Sequence, residues 1–289
     1  MNAGVWVEAA RPRTLPAAVA PVLVGTAVAD RFVLWRFGMA LIVALALQVA
    51  VNYANDLFDA NSGVDGAERL GPRRVVAAGI VAPAAMRRAL VVALAVAAVA
   101  GLVLAAAVGW ELVLVGLASG LAALGYSGGR TAYASRGLGE LFVFVFFGLV
   151  ATVGSQYVQD ETWRWVAVLA AVPIGLVAVA ILVVNNLRDI PTDAPAGKRT
   201  LAVRIGDAHT RRLFVGLVGV ALLADVAVAL AVGSAWPLLA LAAAPLAWGA
   251  VRPVLDGAHG RALIVALEQT GRFHLVHGVL LALGLAVGS

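Results

Sequence analysis

Asn55, Asp56 and Asp59 stand together in the run NDLFD, with Asp65 a little further on. A second acidic run, DIPTD, carries Asp189 and Asp193. Asn55 and Asp59 are i,i+4, as are Asp189 and Asp193, and on a helix this spacing puts two side chains on one face; Asp56 joins them at i,i+3 from Asp59. Carboxylates with an amide oxygen, completed by water and phosphate, form the ligand set of a hard cation such as Mg²⁺. Asn55, Asp56, Asp59, Asp189 and Asp193 are therefore the candidate metal ligands, and the four aspartates the candidate catalytic groups. Pro191 lies between the second pair and is expected to end or unwind the helix there, which makes Asp189 the firmer ligand of the two.

Basic residues accompany the second run: Arg188, Lys198 and Arg199. Acids and bases around one cavity fit Mg²⁺ bridging a phosphorylated substrate, with Lys and Arg on the remaining oxygens. A third polar stretch, GYSGGR (125–130), matches a nucleophile elbow by letter. That motif needs a strand before its serine, and an apolar helix precedes Ser127, so a hydrolase is rejected. Tyr126 and Arg130, again i,i+4, remain as donors for phosphate oxygens. Asp65, Glu68 and Asp207 read equally well as solvated loop acids. His274 and His277 lack a third ligand and read as the polar tip of a helix start. Phe142, Phe144, Phe146 and Phe147 could line a channel for an isoprenoid chain, or face lipid. Gly116 and Gly120 are expected to permit close helix packing.

The elements that must hold these groups are membrane helices. The chain is 62% hydrophobic and only 13% charged, with a mean hydropathy of +0.96. Nine apolar runs have the length that crosses ~30 Å of hydrocarbon. They lie at about 14–29, 36–55, 89–108, 110–126, 139–158, 163–186, 212–232, 235–251 and 272–288. β-Barrel strands would be shorter and alternating. The expected fold is all-α: a polytopic membrane protein with nine transmembrane helices, in one domain spanning residues 1–289. Both acidic runs fall at helix C-termini, where the macrodipole disfavours carboxylates and where acids near a bilayer are by default functional. Their recurrence four helices apart hints at an internal repeat.

With the N-terminus cytoplasmic, 18 of the 21 Lys and Arg fall on the inside and only Arg31, Arg36 and Arg164 outside. This obeys the positive-inside rule and puts the C-terminus outside a cytoplasmic membrane. The sequence pI of about 10.4 then reports an anionic leaflet or substrate, and nucleic acid is excluded as a partner. Arg11, Arg13 and Ala27-Val28-Ala29 imitate a signal peptide, but Pro12, Pro16 and Pro21 suit its apolar region poorly. The absence of cysteine excludes thiol catalysis, disulfides and Cys-based metal sites.

NDLFD with Asp65, and DIPTD in the second loop, resemble the paired aspartate motifs of the UbiA-type intramembrane prenyltransferases. RPRTLPAAVAPVLVGTA (11–27), GPRRVV (71–76), RGLGELFVFVFFG (136–148) and NNLRDIPTDAPAGKRTLAVRIG (185–206) narrow the resemblance to the branch acting on 1,4-dihydroxy-2-naphthoate. The resemblance covers residue 6 or so to the C-terminus. It implies nine helices around a central cavity open to the cytoplasmic side, and Mg²⁺-dependent attack of an aromatic carbon on a polyprenyl diphosphate. It also implies that Asn55, Asp56, Asp59, Asp189 and Asp193 hold Mg²⁺, and that Tyr126 and Arg130 meet the diphosphate. Arg13, Asn52, Asp65, Arg73, Lys198 and Arg199 are the further substrate contacts it implies. Arg130 stands where some members have Lys. Two alternatives remain on the sequence: a 4-hydroxybenzoate-type prenyltransferase, and a cation or phosphate-ester transporter. Transporters put such sites near the bilayer midplane, whereas these acids sit at helix ends.

Overall fold

The computed structural model describes residues 3–62, 74–128 and 132–288, with the side chains of Asp59, Asn61 and Ser62 outside that description. Among the described residues all regular structure is helical. A short helix α1 (Ala3–Ala10) and a 3₁₀ turn (Pro12–Thr14) lead into α2 (Pro16–Val28) and α3 (Leu34–Ser62). Then follow α4 (Pro83–Val108), α5 (Glu111–Gly125) and α6 (Gly139–Val143), which passes through a π-helical stretch (Phe144–Val150) into α7 (Ala151–Asp160). The chain closes with α8 (Trp165–Asp193), α9 (Leu201–Val232), a 3₁₀ segment (Trp236–Ala243) running into α10 (Ala244–Leu255), and α11 (Ala262–Gly288).

Seven of these units are long and apolar enough to cross a membrane, and α2 and α5 are shorter apolar helices. Helices suit such a sequence because lipid offers no partner for backbone N–H and C=O, and a helix satisfies both internally. Leu114, Leu117 and Leu121 line one side of α5 and are 60–71% exposed, which marks a lipid-facing stripe. Three apolar clusters bind the bundle. Val177, Val184, Phe214 and Phe273 join α8, α9 and α11; Val24, Ala170, Ile174 and Leu281 join α2, α8 and α11; Ala50, Leu57, Val75 and Met86 join α3 and α4 to the segment between them.

Three sequence expectations are corrected. The helix does not end at Pro191 but runs to Asp193, because the lost N–H falls in the last turn and Ala194 N still bonds Ile190 O at 3.2 Å. Gly116 and Gly120 meet nothing within 4 Å of an added Cβ, so they do not mediate close packing. That role falls to Gly25 against the Thr152 carbonyl, Gly148 against Gly175, and Gly278 against Ala20. His274 and His277 lie inside α11, fully buried, not at a helix start. His277 Nε2 meets Asp225 Oδ2 at 2.9 Å, and His274 Nε2 meets the Ile174 carbonyl at 3.1 Å, so both serve inter-helix polar contacts.

At the end far from the acidic runs, the α2–α3 loop is fastened to the end of α7. Asp160 accepts from the Asp30 and Arg31 N–H groups and from Arg164 Nε at 2.7 Å. Arg164 also pairs with Asp30, and Glu161 takes Arg31 and Arg36 at 2.7 and 2.8 Å. Arg36, and then Arg31, hold the Glu161 carboxyl below the usual carboxylate range. The three arginines expected outside are thus all matched by local acids.

Candidate active site

The first acidic run occupies the last turns of α3, so its i,i+4 spacing does put Asn55 and Asp59 on one helical face. Asn52 Nδ2 donates to the Ala10 carbonyl (2.8 Å) and to Thr14 Oγ1 (3.0 Å), and Gln48 donates to the same hydroxyl (3.0 Å). Asn52 therefore fastens the N-terminal segment to α3. Asn55 Oδ1 accepts from Ser127 Oγ at 2.6 Å. Asp56 is 1% exposed, and its two oxygens accept from the Val75 and Val76 N–H groups at 3.1 and 3.0 Å. A buried carboxylate needs such donors, and here they pin the segment returning to α4 against α3.

The second run ends α8. Arg188 clamps Asp189 with two bonds, Nε to Oδ1 at 2.7 Å and Nη2 to Oδ2 at 2.8 Å, and its Nη2 also reaches Asn185 Oδ1 at 2.9 Å. Asn185 Nδ2 points back to Asp189 Oδ2 at 3.4 Å. Both members of the pair are buried. Such a charge-assisted fork is short and directional, and it fixes the Asp189 oxygens in place. Asp193 receives Lys198 N on its backbone carbonyl at 3.0 Å, which folds the basic 198–199 step back towards the helix end.

The segment between α5 and α6 links the two runs. Its Ser127 holds Asn55, and its Ser135 carbonyl accepts from Arg199 N at 3.3 Å. Glu140, at the start of α6, accepts from Asn186 Nδ2 of α8 at 3.1 Å. Tyr126 meets Tyr133 edge-on (5.5 Å), and Tyr133 stacks on Phe142 (3.9 Å between centroids). Tyr133 donates to the Ala122 carbonyl at 2.7 Å, and burial raises its hydroxyl pKa, so it stays protonated. Phe144 lies against Gly175, and Phe142 continues the stack to Phe146.

Arg13 pairs with Glu268 of α11 at 2.6 Å while keeping 74% exposure. Lys198 is half-buried and Arg199 exposed. Asp65, Arg73 and Arg130 lie outside the described residues, as does the Asp59 side chain. Sequence reasoning missed Glu140, Gln48 and Thr14, and it dismissed Ser127 with the hydrolase. The usable signal for Glu140 was a lone acid opening an otherwise apolar helix, since acids are costly there.

A divalent cation fits this donor set by chemistry: every candidate ligand offers carboxylate or amide oxygen. Among the described residues no three acidic or imidazole groups converge. Mg²⁺ accepts that arrangement, because it commonly takes one or two carboxylates and completes its shell with water and substrate phosphate.

The chain matches the model of the UbiA prenyltransferase family over residues 18–262. It is 46% identical over 286 residues to 1,4-dihydroxy-2-naphthoate octaprenyltransferase of Mycobacterium tuberculosis, covering 98% of this chain and 97% of the relative. The Escherichia coli protein of the same name is 38% identical over 297 residues, covering 97% and 94%. Among solved structures, the apo UbiA homologue from Aeropyrum pernix K1 superposes with a TM-score of 0.71 at 17% identity, over 93% of this chain and 95% of that one. The Archaeoglobus fulgidus homologue bound to GPP and Mg²⁺ gives 0.65 at 14% identity, over 96% and 99%. A family match across most of the chain, relatives aligned nearly end to end, and a shared fold agree with the two acidic runs at helix ends: this chain belongs to the UbiA prenyltransferase family.

Proposed function

We propose that this prenyltransferase transfers a polyprenyl chain from polyprenyl diphosphate to 1,4-dihydroxy-2-naphthoate, with loss of CO₂, in the cytoplasmic membrane. The observation that carries this reading is the 46% identity, across nearly the full length of both chains, to a relative bearing that activity in its name. The reading takes residues 1–289 as one domain of nine spans: the seven long units plus α2 and α5. Their cavity opens to the cytoplasm, with the N-terminus inside and the C-terminus outside. Charge supports that orientation. The end bearing the acidic runs holds most of the Lys and Arg along the sequence, while the far end pairs its three arginines with Asp30, Asp160 and Glu161. Trp35, Trp110, Trp163, Trp165 and Trp236, all 45–71% exposed, cluster at that far end, as an interfacial aromatic belt would.

In this mechanism Asn55, Asp56, Asp59, Asp189 and Asp193 are the residues that would hold Mg²⁺. When bound, the cation would neutralise the leaving diphosphate and weaken the allylic C–O bond. The chain itself supplies the rest. Tyr126, Arg130, Lys198 and Arg199 donate to diphosphate oxygens, with Arg13, Asn52, Asp65 and Arg73 as further substrate contacts. Arg188 keeps Asp189 oriented, and Asp56 keeps the segment carrying Arg74 close to α3. The ring carbon of the acceptor then attacks C1 of the chain, and CO₂ leaves from that same carbon.

The test uses purified protein, Mg²⁺, a polyprenyl diphosphate and naphthoate carrying ¹⁴C in its carboxylate. Label leaves as CO₂ in step with diphosphate release, and 4-hydroxybenzoate stays nearly untouched. Product that keeps the label, or faster turnover of hydroxybenzoate, moves the protein to another branch of the family.

A further inference from the structure

Glu140 is a buried carboxylate (8% exposed) at the membrane end that carries both acidic runs, and the reaction just described does not use it. Its described hydrogen-bond partner is a neutral amide, Asn186 Nδ2 at 3.1 Å. The motif carboxylates are differently placed. Asp56 spends both oxygens on backbone N–H groups, and Asp189 spends both on Arg188. A carboxylate has about four acceptor positions, so one amide leaves Glu140 with capacity to spare. Burying such a group is costly unless further donors reach it or it takes up a proton.

Its surroundings say which donor that is. Asn186 directly follows Asn185, which is bonded to Arg188 and Asp189, so Glu140 faces α8 beside the second acidic run. At the preceding residue, the Tyr126 ring lies 3.8 Å from where a Cβ on Gly139 would sit. Glu140 is thus bonded to α8 one turn before Asp189, the proposed metal ligand, and follows in the chain the residue that meets Tyr126, a proposed diphosphate donor. In the proposed reaction the acceptor meets the diphosphate end of the prenyl chain in this region. An anionic acceptor has carboxylate oxygens that would repel Glu140, but its phenolic O–H is a donor.

We propose that Glu140 accepts a hydrogen bond, and transiently the proton, from the acceptor's ring hydroxyl next to the attacking carbon. The inference rests on the proposed reaction and assigns its missing base. As the ring carbon bonds to C1 of the chain, the C1–O bond breaks and its electron pair leaves on diphosphate. The hydroxyl oxygen becomes a ketone, its proton passing to Glu140. The ring carbon now bears both the chain and a carboxylate β to that ketone. Loss of CO₂ returns the C–C pair to the ring, and Glu140 returns its proton to the oxygen. No proton is gained or lost overall, so a buried carboxylate screened from bulk water is adequate for the task.

Two substitutions separate this role from a merely structural clamp between α6 and α8. Glu140→Gln keeps the length and an oxygen for Asn186 but removes the basic group; Glu140→Asp keeps the base but shortens the reach. We expect Glu140→Gln to lose on the order of 100-fold in kcat, as loss of a general base typically does. The KM for polyprenyl diphosphate and the melting temperature in detergent should stay unchanged, and Glu140→Asp should retain more activity than Gln. A monomethyl ether of the acceptor at the hydroxyl concerned should be a poor substrate for wild type and no poorer relative to it for Glu140→Gln. Gln as active as wild type with Asp impaired, or losses that add in full for both monomethyl ethers, would overturn the proposal. If wild type prefers another phenolic acceptor, the function proposed above fails, and the Gln–Asp order measured on that acceptor still decides the role of Glu140.

Discussion

Asp56, Arg188 and Asp189 in the acidic runs already have structural tasks, and this shapes what their removal does. Asp56→Asn turns one acceptor oxygen into a donor facing the Val75 or Val76 N–H, and an unmet buried donor costs about 1–3 kcal/mol. Its expected signature is a lower melting temperature in detergent together with lost activity. Asp59→Asn and Asp189→Asn each remove a ligand charge, and turnover should fall by about 100-fold or more, since metal stabilisation of a leaving group is worth several kcal/mol. Excess Mg²⁺ should rescue them only in part; wild-type turnover in both variants would remove the two-run metal site. The candidate ligand residue types stood out in the sequence because carboxylates are rare in so apolar a chain. The Arg188 clamp on its neighbour and the Ser127 bond to Asn55 were not, because sequence spacing does not report which way a guanidinium or a hydroxyl turns.

Helix positions were legible from apolar length, but helix ends were not. Hydropathy marks where lipid stops, whereas a helix stops where its backbone runs out of partners. So α3 continues to Ser62 and α8 to Asp193, each through polar residues. Glycine roles were misread for a related reason: a Gly–Gly spacing of four is visible in sequence, but the opposing surface is not. Gly116 faces open space, whereas a Cβ on Gly148 would come within 2.7 Å of Gly175 Cα. Gly148→Val should cost at least the ~1–3 kcal/mol of overpacking and reduce the monodisperse fraction in size-exclusion chromatography. Gly116→Leu should leave that fraction unchanged. Equal loss in both would mean that the α8 contact is not a packing constraint.

For the whole molecule, the proposed orientation rests on how charge is shared between the two ends. Reporters fused at Gly66 and Gly197 should read cytoplasmic, and one after Ser289 external. Gly197 and the C-terminus on the same side would remove one span, and α5 or α2 would be the first suspect, being the two short apolar helices. The far-end fastening has a temporal consequence as well. The loop from Asp30 to Arg36 carries two arginines and one aspartate, and the stretch from Gln159 to Arg164 carries two acids and one arginine. Each is a mismatched half, one net positive and one net negative, and they cancel only on meeting. A growing chain exposes the first half more than a hundred residues before the second is made. The net positive charge of the Asp30–Arg36 half therefore has its balancing partner only once the Gln159–Arg164 half has been added to the chain.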